Sequence, residues 1–143
     1  MPATPEASAR TRAFARVTGP YLLSAPTIVV VRTPSANMEK ILSSFFQNDA
    51  LVWLASGLLL FGGLLIIAHH QYWSSPAAIM ISLFGWFQAL RGVALLAAPQ
   101  LIARGAAAAL NMIPVVQIGF GVLVLVGLWL TFVGWIAKPS ADS

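Results

Sequence analysis

The chain contains no cysteine, which excludes a disulfide, a thiolate nucleophile and a zinc–thiolate centre. Charge is also scarce: 8% of the 143 residues are Asp, Glu, Lys or Arg, against about 25% in a soluble domain. The only acids are Glu6, Glu39, Asp49 and Asp142, all outside or at the ends of the apolar runs. Intramembrane acid–base chemistry therefore lacks its usual carboxylate pair. No Ser-His-Asp order, glycine-rich phosphate loop or H-E-x-x-H motif occurs, so neither an enzyme nor a cofactor is expected.

What fills the chain instead is apolar surface. Hydrophobic residues make up 59% of it, and the mean hydropathy is +0.84. In lipid every backbone polar group needs an internal partner, so a cysteine-free chain of this composition with long apolar runs is expected to be an all-α integral membrane protein. Eight Lys and Arg give a pI near 10.4. They are scattered or gathered before the first apolar run, a pattern that orients a chain in a bilayer and offers no nucleic-acid patch.

Ala77–Ala98 is the most informative stretch, because its 22 residues cover about 33 Å at ~1.5 Å each and yet include Gln88 and Arg91. Arg91 sits about 10 Å inside the nearer end, where a guanidinium without a partner costs at least ~2.5 kcal/mol. Residues 50–68 and 113–136 are further spans without a charge, the latter carrying Gln117. Residues 17–32 are shorter and contain Pro20 and Pro26, but Arg16 and Arg32 can snorkel and membrane helices tolerate proline. No convincing A-x-A site follows, so a cleaved signal peptide is not expected.

Residues 1–16, rich in Pro, Ala, Ser, Thr and Arg, read as a disordered basic arm, and residues 137–143 as a polar tail. After Pro34, Met38, Ile41, Leu42, Phe45 and Phe46 recur at helical spacing and predict a short interfacial amphipathic helix. Residues 69–76 read as a polar turn with belt aromatics, Tyr72 and Trp73. Adjacent His69 and His70 lack the i, i+4 spacing of a helical metal pair. Pro99 ends the third span, and residues 100–112 form a loop with a short alanine-rich helical piece carrying Arg104.

Laying residue n on residue n+64 brings Lys40 onto Arg104, Gly57 onto Gly121 and Gly63 onto Gly127. With a one-residue slip Pro34 joins Pro99, and each half becomes span, proline, amphipathic piece, span. This tandem hairpin pattern promotes residues 17–32 to a fourth span, with both termini cytoplasmic. Counting only three spans would satisfy the positive-inside rule better, so charge and repeat disagree, and four is the expectation. Small residues seven apart, Ser56 and Gly63, Gly85 and Gly92, Gly127 and Gly134, predict close helix packing.

The second half places Gly92 seven residues before Pro99, followed by a loop and a glycine-bearing helix. Over about 50 residues it resembles a family of very small two-helix bacterial inner-membrane proteins of unknown function. That family tends towards an acid at the position before the glycine, where this chain has Arg91. The resemblance implies a bacterial inner-membrane location and no mechanism.

The polar groups expected to matter are Arg91, Gln88, Gln117 and Asp49. By depth they share one side of a four-span bundle, where they would form an intramembrane clamp around the guanidinium. The function expected is that of a structural or accessory subunit of a membrane assembly, in contact with the lipid bilayer and with a protein partner or further copies of itself. The alternative is an oligomeric transporter or channel component with Arg91 near the permeation path.

Overall fold

A computed structural model describes residues 4–32 and 37–136. Six helices follow in order: α1 (Pro5–Arg32), α2 (Met38–Phe46), α3 (Asp49–His69), α4 (Pro76–Ala97), α5 (Pro99–Leu110) and α6 (Ile113–Thr131), the last running on into a π-helical turn, Phe132–Ile136. Four of them, α1, α3, α4 and α6 with its π turn, are long and apolar enough to cross a membrane. The chain is thus an all-α, multi-pass membrane protein. Pro34, expected to stop the first span, lies outside the described residues, as does the tail 137–143 with Lys138.

Local chemistry sets the helix starts. The Asn48 side chain accepts from the Leu51 N–H at 3.2 Å, and the Ser75 hydroxyl accepts from the Ala78 N–H at 3.2 Å, satisfying donors that a first turn leaves open. Pro76, Pro99 and Pro114 occupy first turns, where a missing N–H costs nothing. The amphipathic helix expected after residue 37 is α2, and the alanine-rich piece expected within 100–112 is a full helix, α5.

The long helices associate as two pairs. α3 packs along α4 and α1 along α6, while α1 also touches α4 and α2 touches α5. Each pair closes over a glycine. A Cβ on Gly63 would collide with the backbone of Ala89, and one on Gly127 with the backbone of Leu22 and Leu23. All six small residues spaced seven apart are buried, which is the packing use expected where lipid supplies no hydrophobic drive. Gly57 and Gly121, matched in the 64-residue register, face open space.

The expected basic arm departs from expectation over residues 5–16. These are helical and not disordered, since α1 begins at Pro5 and buries Ala7, Thr11 and Ala15. These positions are four apart and continue into Thr18, Gly19, Leu22 and Pro26, so one narrow face of α1 is small enough to lie close against its neighbours. The arginines Arg10, Arg12 and Arg16 fall off that face, so charge does not oppose the packing. Ala15 joins Leu22, Ala77, Ile81 and Leu130 in a core at the end of the bundle where α3 turns into α4.

Candidate functional site

The four polar residues singled out by depth are not joined by any hydrogen bond or ion pair among the described residues. Arg91 is exposed on the membrane-facing side of α4, because the face of α4 that meets α3 is built from Gly85, Ala89 and Gly92. Arg91 is set about 100° around the helix from Gly92. Gln117 is half-buried on α6, whose chief neighbour is α1. Asp49 opens α3, exposed, and lines a cavity of about 50 Å³ with Phe46, Leu95 and Gln100. Gln88 is half-buried and faces a groove between α1, α3 and α4.

The structure builds its most complete polar cluster elsewhere, around His70. This residue caps the C-terminal end of α3, is 1% exposed, and bridges α1 and α4 through its two ring nitrogens. Nε2 lies 3.0 Å from the Thr11 hydroxyl and Nδ1 lies 3.2 Å from the Ser82 hydroxyl. The Thr11 hydroxyl donates to the Ala7 carbonyl at 2.7 Å, so it is left to accept from an Nε2–H. Nδ1 then accepts from Ser82 in the neutral imidazole. Phe14 and Tyr72 place ring edges against the imidazole at 5.4 and 5.5 Å, closing it from water.

That enclosure pushes the His70 pKa below its ordinary value, because desolvation penalises the imidazolium, and a backbone hydrogen bond opposes the shift only in part. The cluster has a ready answer to protonation all the same. Ser82 Oγ stands 3.1 Å from the Tyr72 carbonyl and 3.3 Å from the His70 carbonyl. An imidazolium would donate from Nδ1 to Ser82, and the serine hydrogen would turn to one of those carbonyls. Sequence pattern gives little sign of this node. The only signal is Thr11 on the small-residue ladder of α1, and the polar turn 69–76 reads as exposed.

A second polar contact ties α1 to α6. The Arg16 Nε donates to the Gly134 carbonyl at 2.9 Å, and the Trp135 Nε1 donates to the Arg16 carbonyl at 3.2 Å. The guanidinium also lies 5.7 Å from the Trp135 ring centroid. Among the described residues no three of His, Cys, Asp and Glu gather as a metal site would require.

These features define a class, the small helical multi-pass membrane proteins, with polar ties at the end of the bundle where α1 begins and a cation within a span that has no partner among the described residues. No protein-family model, curated protein or solved structure matches the chain.

Proposed function

We propose that this protein is an accessory subunit that docks onto a larger membrane partner through the α4 face bearing Arg91, in a bacterial inner membrane with both chain termini on the cytoplasmic side. The observation that carries this reading is the state of Arg91, exposed and without a partner among the described residues. It lies six residues, about 9 Å, inside the Ala97 end of α4. A charge at that depth is retained at a cost of ~2.5 kcal/mol or more, and a carboxylate on a neighbouring chain would offset it. A second copy of this chain offers only boundary acids such as Asp49, level with the Leu95–Gln100 end of α4, whereas a different membrane protein with an acid inside a span would meet the guanidinium at its own depth.

The discriminating experiment is co-purification from mild detergent. A stoichiometric larger membrane partner is expected, retained by the wild-type chain and lost on Arg91→Leu. A pure homo-oligomer or an isolated chain, indifferent to Arg91→Leu, would overturn the reading.

A further inference from the structure

Between α1, α3 and α4 an open groove of about 400 Å³ faces the lipid. Its walls include Leu58, Ile66 and Phe84, and three polar side chains look into it: Thr18, Tyr21 and Gln88. None of the three has a side-chain hydrogen-bond partner among the described residues. Thr18 is only 4% exposed, and since no buried side-chain oxygen or nitrogen is left unpartnered, its hydroxyl opens into the groove.

Depth makes these groups unusual. Gln88 lies about 9 Å inwards from Ser82, which marks the level of His70, and Tyr21 about 8 Å inwards from Arg16. Water does not satisfy donors there, and leaving them bare in hydrocarbon is costly.

Swapping the two halves exchanges the α3–α4 pair with the α6–α1 pair, and the close approaches fix the register. Gly63 meets Ala89 as Gly127 meets Leu22 and Leu23, and Gly85 meets Ile66 as Gly19 meets Thr131. In that register Tyr21 and Gln88 correspond to Phe87 and Leu22, while Thr18 and Phe84, which line the same groove, exchange with each other. One seam between the pairs is polar at two positions where its counterpart is apolar. Packing alone gives no reason for that difference.

We propose that the groove binds an uncharged, lipid-soluble carbonyl compound, with the chemistry of a quinone head on an apolar tail. Two hydroxyls and an amide supply donors, which a carbonyl oxygen accepts. No charged side chain lines the groove, so a charged head has no counter-ion in it. Glycerolipid ester carbonyls stay at the headgroup boundary, above Gln88. Tyr21 and Phe84 set tilted rings 5.9 Å apart beside the polar groups, a surface for a planar head. The volume falls in the range of small-molecule sites, and the open side lets a tail leave into the bilayer.

The test uses the full chain in phosphatidylcholine nanodiscs, where phospholipid competes in excess, with a decyl-substituted benzoquinone as probe and empty nanodiscs subtracted. Saturable binding at about one probe per chain is expected. Gln88→Leu and Tyr21→Phe should each weaken it about tenfold, the effect of one hydrogen bond in a dry site, while Phe87→Leu on the counterpart seam leaves it unchanged. Binding that never exceeds the empty discs would overturn the proposal. So would unchanged affinity in Gln88→Leu and Tyr21→Phe proteins that melt like the wild type.

Discussion

Replacing Thr11 by Val and His70 by Phe, singly and together, tests whether the imidazole ties α1 to the α3–α4 turn. Thr11→Val keeps the shape of the side chain but removes the acceptor 3.0 Å from Nε2. A buried N–H is then stranded, at a cost of about 1–3 kcal/mol. His70→Phe keeps the ring edges offered to Phe14 and Tyr72 and removes both nitrogens. Thr11 still has the Ala7 carbonyl and Ser82 the Tyr72 carbonyl, so no hydroxyl is stranded, and the loss is that of two net hydrogen bonds, again about 1–3 kcal/mol. In the double variant Thr11→Val has no N–H to strand and is nearly neutral. The two changes should therefore couple by about 1–3 kcal/mol, read from unfolding midpoints in detergent by circular dichroism.

The pH dependence gives an independent check. The His70 pKa is lowered in the folded chain, so below the ordinary value of 6.5 the unfolded chain binds more protons than the folded one. Wild-type stability should be level with respect to this group above that value and fall as pH drops from 6.5 towards the lower folded pKa. The His70→Phe protein should lose that fall. Additivity within about 0.5 kcal/mol, together with the same acid profile in both proteins, would refute the bridging role.

Two further outcomes follow from the packing. Gly63→Leu and Gly127→Leu drive side chains into facing backbone and should each destabilise by about 1–3 kcal/mol or more, whereas Gly57→Leu and Gly121→Leu, in open space, should stay within about 0.5 kcal/mol in the same melts. Because α2 touches α5, single cysteines at Ser43 and Ala107 should both label, or both resist labelling, with an impermeant maleimide in intact cells; labelling of only one would break the four-span arrangement.

Hydropathy and helical spacing were enough to read α3, α4, α6 and the amphipathic α2, because those signals depend on each segment alone. They place residues by depth, and at that level Arg91, Gln88, Gln117 and Asp49 do look like neighbours. Which helix stands beside which is a matter of azimuth, decided by small faces such as Gly85, Ala89 and Gly92 meeting a complementary helix. That choice turns Arg91 outwards and puts Gln117 in a different helix pair, α6 with α1. The start of α1 is hidden from composition for a related reason. Composition calls residues 1–16 polar, but Ala7, Thr11 and Ala15 occupy one narrow face, and it is that face which packs. The bridging role of His70 is not legible in the sequence, because a histidine in a turn reads as solvated until α1 is known to cover it.

The pairing of α1 with α6 also has a consequence in time. α3 and α4 are consecutive and can close as soon as both have been made, but roughly 80 residues separate the end of α1 from the start of α6. At ~5–20 residues per second, α1 waits roughly 4–16 s for its main partner during synthesis. Throughout that interval its glycine-bearing face stands open to lipid, and the first surface available to it is the completed α3–α4 hairpin, where Thr11 reaches His70. The order of synthesis thus makes the His70 contact a mooring for the earliest helix, holding it in position until the last one arrives.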